Sequence, residues 1–170
     1  DLLRVAFKLA TGAGKTTVMA MLIAWQTLNA VRAANSKRFS KGFLIVTPGV
    51  TIRDRLRVLL PNDAENQYQR INLVPHVLMP DLIKAKIVIT NYHAFKLRET
   101  FEAAKGTRQV LEGHGEALQT LETEGQMIQR VMGDLMGLKG VIVINDEAHH
   151  CYRERPVSEE KRLTGDERKE

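Results

Sequence analysis

Two separated groups of residues in this sequence have the types and spacing needed to act on a phosphate group. The first is the turn Thr11-Gly12-Ala13-Gly14-Lys15-Thr16-Thr17, with an apolar run before it and a long helical pattern after it. Glycines let the backbone curl so that consecutive N–H groups converge on an anion, and the positive end of the helix dipole adds to the attraction. Lys15 would reach the β- and γ-phosphates of ATP, and the Thr16 hydroxyl would ligate Mg²⁺. The turn therefore predicts a nucleotide site.

The second group is Asn145-Asp146-Glu147-Ala148-His149-His150, which follows the apolar run from Val141 to Ile144. Charge at the end of an apolar strand carries a desolvation cost, so these acids need a counterpart such as a metal ion. We expect Asp146 to hold Mg²⁺, largely through water, and Glu147 to orient and deprotonate the water that attacks the γ-phosphate. The two roles need different carboxylates, because the cation neutralises one and the other must stay basic.

Each group also has a simpler interpretation. The strict phosphate-loop pattern has glycine six residues before the lysine, where this chain has Leu9. The glycines could merely join a strand to a helix, and the acids could form a surface turn. His149 and His150 beside the acids also permit a zinc site. A single nearby cysteine and the lack of a second ligand cluster disfavour zinc.

The elements that must position these groups follow from hydrophobic patterning. Apolar runs bounded by turn residues are typical of strands buried on both faces of a parallel sheet, and helical spacing lies between them. The sequence therefore predicts an α/β fold with a mostly parallel sheet flanked by helices. The predicted strands cover residues 4–9, 43–46, 86–90 and 141–144.

Two further strand ends carry small, polar or basic residues that suit contact with the phosphates of a nucleic-acid strand. Ligands of open α/β sheets bind at the carboxyl ends of the strands. A plain strand-to-helix turn with arginines on its solvent-exposed face would give the same pattern, and His93 could equally be a structural histidine. The predicted contacts are Thr47, Pro48, Gly49, Arg53, Thr90, Asn91 and His93.

Composition limits the class of protein. The chain has 170 residues, enough for one core of ordinary size, and its net charge of +5 favours a polyanionic partner only weakly. Its one cysteine, Cys151, excludes an internal disulfide framework and suits a reducing intracellular setting. No apolar run approaches the roughly 18–20 residues of a membrane span. We also expect no signal peptide before the phosphate loop.

Two segments are expected to lie outside the sheet core. Residues 96–139 are charged, punctuated by glycine and helical in character, which predicts a helical insertion within a single domain over residues 1–170. Residues 151–170 are charged and poor in apolar side chains, which predicts a flexible end. Because the chain opens on Asp1 and stops in a charged run, we expect it to be cut from a longer protein.

Together these motifs resemble those of superfamily 2 helicases of the DEAD/DEAH-box type. Residues 10–16, 47–49, 90–93 and 146–149 occur in the order of motif I, motif Ia, a DNA-contacting motif and motif II. The segment 45–52 is most similar to the Res subunit of type III restriction enzymes. The resemblance spans nearly the whole chain, although residues 96–139 match no general helicase motif.

The resemblance implies a three-layer P-loop NTPase fold, as the first of two RecA-like domains. It implies a DNA-dependent ATPase motor of a bacterial, cytoplasmic restriction enzyme, with ATP and Mg²⁺ as cofactors. DNA, the second RecA-like domain and a modification methyltransferase subunit would be its partners. His149 would couple hydrolysis to movement. An arginine finger from the second domain typically contributes roughly 10³–10⁵ in rate, so this domain alone would hydrolyse ATP barely, if at all.

Some features depart from the helicase pattern. The adenine-reading glutamine motif is absent before the phosphate loop, and Asn145 replaces an apolar residue before the first acid. Two other functions stay open. A small-molecule phosphotransferase would leave the acid pair unexplained. A non-catalytic scaffold module is disfavoured by the intact set of Lys15, Thr16, Asp146 and Glu147.

Overall fold

A three-stranded parallel sheet forms the centre of the computed structural model, which describes residues 3–10, 12–100 and 120–148. Its strands are β1 (Gly42–Thr47), β2 (Lys86–Asn91) and β5 (Ile142–Asn145), in the spatial order β2-β1-β5. β1 is central: Phe43 pairs with Ile87 of β2 on one side and with Ile142 of β5 on the other. The carboxyl ends of all three strands therefore lie along one edge.

Helices connect and cover these strands. The long α1 precedes β1, and three shorter helices lie between β1 and β2, separated by 3-10 turns. After β2, the described residues form a small antiparallel pair of strands and a further helix before β5. The elements are α1 (Lys15–Arg32), α2 (Val50–Arg55), α3 (Gln67–Arg70), α4 (Met79–Leu82), β3 (Glu99–Thr100), β4 (Thr120–Leu121) and α5 (Glu124–Met132). Within the described residues, no helix is long and apolar enough to cross a membrane.

β1 is buried along its whole length because both faces of the sheet are covered. Successive side chains of a strand point to opposite faces. Phe43 and Ile45 accordingly join the main core with α1 and α4, whereas Leu44 and Val46 pack against Leu135 on the other face. The predicted layering of helices on a parallel sheet is confirmed.

The other predicted strands are less buried than expected. Along β5, Val143 is 60% exposed, and β2 is only half-buried. Residues 3–10 form no strand at all, contrary to the prediction, and Val5 and Phe7 are 65% and 69% exposed. A strand gains stability from ladder hydrogen bonds and from packed side chains, and this segment has neither among the described residues.

The segment expected to be a helical insertion is mixed. Its described part contains the β3–β4 pair as well as α5, with Glu99 opposite Leu121. α5 begins at a capping box: the Thr123 hydroxyl accepts from the Gln126 N–H, and the Gln126 side chain accepts from the Thr123 N–H. Such reciprocal bonds satisfy two amides that the helix itself leaves unpaired.

The chain between α2 and α4 is held together by buried polar side chains. Tyr68 is fully buried, and its hydroxyl donates to the Leu59 carbonyl oxygen at 2.8 Å. Asn66 caps α3, because its side chain accepts from the Gln69 N–H at 2.9 Å. Tyr68 is thus a packing residue with a satisfied hydroxyl.

We predict that Tyr68→Phe lowers the free energy of unfolding by about 1 to 2 kcal/mol, because it leaves the buried Leu59 carbonyl without its partner. Urea unfolding followed by circular dichroism measures this change. Tyr92→Phe is the matched control, since Tyr92 is 37% exposed, and it should change stability by less than about 0.5 kcal/mol. Equal effects of the two substitutions would contradict the assigned role of the buried hydroxyl.

Candidate nucleotide site

The turn before α1 has the backbone conformation of an anion-binding loop. Gly12 and Gly14 both adopt positive φ angles, of 81° and 85°. Side chains rarely tolerate this left-handed region, so glycine is the residue that permits it at low cost. The Ala13 N–H closes the turn by donating to the Ala10 carbonyl oxygen at 3.2 Å. The predicted curling of the loop around its two glycines is present.

The start of α1 leaves its amides open to a ligand. Gly14 caps the helix without a side chain, and no acidic residue lies in the first turn. The first N–H groups of a helix have no intrahelical acceptor, and its dipole places partial positive charge there. The Val18 N–H is the first to be satisfied within the helix, by the Gly14 carbonyl oxygen at 3.1 Å. The amides of Lys15, Thr16 and Thr17 are thus arranged to bind an anion.

Lys15 contacts Glu147 directly, although the two residues are 132 positions apart in the chain. Both side chains are about one-third exposed, so a ligand can approach them. The hydrogen bond that the Lys15 ammonium group donates to the Glu147 carboxylate is the main cause of a raised Lys15 pKa, which keeps the ammonium group charged. The fold therefore joins the two sequence motifs into one site.

Asp146 lies deeper than Glu147 at the end of β5. Its residue is 9% exposed, and its N–H extends the ladder by donating to the Val46 carbonyl oxygen at 2.9 Å. Burial raises the pKa of the Asp146 carboxyl, with a further contribution from the neighbouring Glu147 charge and an opposing one from Lys15. A buried carboxylate that is costly to ionise is well suited to a cation.

Glu147 adopts a positive φ of 55°. Asn72 is the other non-glycine residue with positive φ in the described ranges, but asparagine visits this region more readily than glutamate does. Such conformations cost of order 1 kcal/mol or more, and they cluster at functional sites. The turn after β5 therefore holds the Glu147 side chain in a specific direction, toward Lys15.

The remaining predicted nucleotide residues divide into two groups. Thr16 and Thr17 are half-buried in the first turn of α1, next to the glycine loop. Thr11 and His149 lie outside the described residues. The described ranges hold no cluster of three or more side chains able to bind a metal ion, and His150 of the alternative zinc site also lies outside them.

The second predicted surface, at the ends of β1 and β2, is partly internal. Thr47 is fully buried, and its hydroxyl donates to the carbonyl oxygens of Gly49 at 2.9 Å and Thr90 at 3.3 Å. This hydroxyl joins the two strand ends and is not presented to a ligand. Pro48, Gly49, Thr90 and Asn91 are half-buried, and Arg53 and His93 are exposed.

The turn after β2 is anchored from both ends. The Asn91 side chain accepts from the Ala94 N–H at 3.0 Å, and the Arg130 guanidinium of α5 donates to the Ala94 carbonyl oxygen at 3.0 Å. Arg130 also forms two hydrogen bonds with the buried Glu122 carboxylate, at 2.8 and 2.7 Å. These bonds hold the pKa of the Glu122 carboxyl below its ordinary value.

His93 stacks on Tyr92, with ring centroids 3.9 Å apart.

One residue near the site was not expected from the sequence. Gln67 of α3 is buried, and its side-chain amide donates to the Thr17 hydroxyl at 3.1 Å. The surrounding segment is polar and has no clear period, so no pattern in the sequence marked Gln67 as different from the exposed Gln69. The positive φ of Glu147 also has no sequence signature.

A parallel α/β sheet, a left-handed glycine loop before a helix, and an acid pair at a neighbouring strand end define a P-loop NTPase domain of the RecA-like type. A family model for the type III restriction enzyme res subunit matches residues 2–164, and the chain belongs to this family. It is a helicase superfamily 2 N-terminal domain family, which places the protein among helicase-like ATPase motors. No curated protein and no solved structure matches significantly.

We predict that Gly14→Ala lowers the free energy of unfolding by about 1 to 2 kcal/mol, since alanine is strained at a φ of 85°. Crowding is not the cause, because an added Cβ would lie 3.9 Å from its nearest neighbours, in Thr17. Gly125→Ala in α5 is the control: its Cβ would meet nothing within 4 Å, and alanine favours helix, so stability should not fall. Chemical denaturation of both variants measures the free energy of unfolding. A Gly14→Ala protein as stable as the wild type would refute the predicted backbone strain.

Proposed function

We propose that this chain is the ATP-binding half of a DNA-dependent ATPase motor of a restriction-type enzyme. The observation that carries the proposal is the contact between Lys15 and Glu147, which brings the glycine loop and the acid pair together at the carboxyl edge of a parallel sheet. Ligands of such sheets bind at this edge. Membership of the res subunit family supports the motor class.

The residues present fit ATP. The left-handed glycines and the open amides of the first turn of α1 form a cradle for phosphates, and Lys15 supplies a mobile positive charge beside it. In the present arrangement Glu147 neutralises that charge. Phosphate oxygens are the natural replacement for the Glu147 carboxylate, so nucleotide binding would transfer Lys15 from the acid to the ligand.

The same edge of the sheet fits Mg²⁺. Asp146 is buried and costly to ionise without a cation, and Thr16 offers a hydroxyl oxygen in the adjacent helical turn. Hard cations prefer oxygen ligands of this kind. When bound, Mg²⁺ would neutralise charge on the phosphates. Asp146 and Thr16 are therefore the proposed metal-binding residues.

Glu147 is the proposed general base. Once Lys15 has moved to the phosphates, the Glu147 carboxylate would accept a proton from water and hold that water in line with the γ-phosphate. Its constrained φ fixes the direction from which it acts. His149, two positions further along the sequence, is the proposed link between hydrolysis and movement.

The proposed DNA surface lies at the neighbouring strand ends. Arg53 supplies positive charge beside Gly49, and the anchored turn after β2 presents His93. Thr47 serves this surface by joining the two strand ends, and not by touching DNA itself. Backbone phosphates suit such small, polar and basic groups. The proposed contacts are Pro48, Gly49, Arg53, Thr90, Asn91 and His93.

We also propose that a second RecA-like domain completes the motor. An arginine finger from such a domain contributes roughly 10³–10⁵ in rate, so this domain alone should bind ATP weakly and turn it over very slowly. A methyltransferase subunit is the further partner proposed for a cytoplasmic enzyme of this family.

We predict that Glu147→Gln in the full-length protein lowers kcat for ATP hydrolysis by about 10²-fold or more, because it removes the base. Affinity for ATP should not weaken, since Lys15 loses a competing partner. Steady-state phosphate release measured with and without duplex DNA tests both points. Glu65→Gln is the control, because Glu65 is an exposed acid outside the phosphate loop and the acid pair, and its kcat should equal that of the wild type.

Two results would count against the proposal. Hydrolysis that is indifferent to DNA would argue against a DNA motor and favour a phosphotransferase, for which small hydroxyl-bearing acceptors would then accelerate ATP consumption. Binding of ATP without any hydrolysis, in wild type and Glu147→Gln alike, would favour a non-catalytic scaffold.

A further inference from the structure

Gln67 connects α3 to the first turn of α1 through a directional chain of hydrogen bonds. The residue is 5% exposed, and both ends of its side-chain amide form hydrogen bonds. The nitrogen donates to the Thr17 hydroxyl at 3.1 Å, and the oxygen accepts from the Arg70 guanidinium at 2.6 Å. A buried glutamine amide without hydrogen-bond partners at both ends would be costly, so these two bonds fix the position of the Gln67 side chain.

Arg70 determines which way round the amide sits. A guanidinium group can only donate, so the Gln67 atom facing Arg70 must be the carbonyl oxygen. The amide nitrogen is therefore forced toward Thr17. Because that nitrogen can only donate, the Thr17 oxygen must act as the acceptor. The polarity of the chain runs in one direction, from Arg70 through Gln67 to Thr17.

The Thr17 hydroxyl keeps its own proton available. No acceptor for that proton occurs within the described residues, and the oxygen would lie 3.9 Å from a Cβ added to Gly14, so it borders the phosphate loop. An anion accepts hydrogen bonds and offers none. A hydroxyl whose oxygen already accepts from Gln67 is thus prepared to donate to an anion in the loop.

We propose that Gln67 is a positioning residue for nucleotide, which holds the Thr17 hydroxyl as a hydrogen-bond donor to the bound phosphates, with Arg70 setting the orientation of the Gln67 amide. This inference rests on the proposed function, since it assigns the phosphate loop to a nucleotide. It adds α3, an element between β1 and β2, to the groups that determine affinity for phosphates.

The reversal of polarity is the sharpest test. In Gln67→Glu the side chain keeps its size and its bond with Arg70 but can no longer donate, so the Thr17 proton turns toward the new carboxylate and is lost to the ligand. We expect the Kd of the full-length protein for Mg·ATP and Mg·ADP to rise about tenfold, as for loss of one hydrogen bond to a charged group. Isothermal titration calorimetry measures both dissociation constants.

Matched variants separate this effect from charge and from folding. Gln69→Glu makes the same change on the exposed face of α3 and should bind like the wild type. In a Thr17→Val background, Gln67→Glu should have little further effect, whereas Thr17→Ser should retain most of the affinity. Arg70→Met, at an exposed position, frees the amide to turn and should weaken binding severalfold; the melting temperature of each variant is measured alongside, to separate a loss of affinity from a loss of fold.

The outcomes distinguish this inference from the proposed function. Wild-type protein that binds neither nucleotide refutes the proposed function itself. Wild-type binding with an unchanged Kd in Gln67→Glu overturns only the role of Gln67. The role of Gln67 is also overturned if Gln67→Glu raises the Kd by the same factor with and without the Thr17 hydroxyl. The cause would then be repulsion between the new carboxylate and the phosphates, and not loss of a hydrogen-bond donor. Adenosine, which has no phosphate, should bind all variants equally.

Discussion

The contact between Lys15 and Glu147 is the interaction on which the site depends. It forms only because α1 starts at the edge of the sheet where β5 ends. The pair also reduces electrostatic repulsion in the site, because the positive charge of Lys15 offsets part of the repulsion between the neighbouring Asp146 and Glu147 carboxylates. The same contact underlies the proposed exchange, in which a phosphate attracts Lys15 away from Glu147 and the Glu147 carboxylate acts as a base.

β1 is the element that makes this geometry possible. Its register with β2 and β5 aligns three carboxyl ends, and its alternating side chains supply both cores: Phe43 and Ile45 on the α1 face, Leu44 and Val46 on the other. Side chains between the elements then fix the loops. The Thr47 hydroxyl joins the ends of β1 and β2, Arg130 anchors the turn after β2, and Gln67 ties α3 to α1. The candidate site at this edge is thus supported by polar contacts from β1, α3 and α5.

Much of this was predictable from local pattern, and the exceptions have physical causes. The run from Phe43 to Val46 is apolar at every position, and it is the strand buried on both faces. The glycine spacing predicted the loop, because Gly12 and Gly14 need a conformation that other residues avoid. Residues 4–9 are also largely apolar but form no strand, since pairing depends on a neighbour that the pattern does not specify. Gln67 was unpredictable because its importance comes from Thr17, fifty positions away.

The most direct test of the account is a crystal structure of the full-length protein with Mg²⁺ and a non-hydrolysable ATP analogue. The account predicts phosphates on the amides between Gly12 and Thr17, Lys15 on the β- and γ-phosphates and released from Glu147, and the cation beside Thr16 and Asp146. A nucleotide bound elsewhere, or a bound analogue with the Lys15–Glu147 pair still intact, would contradict it.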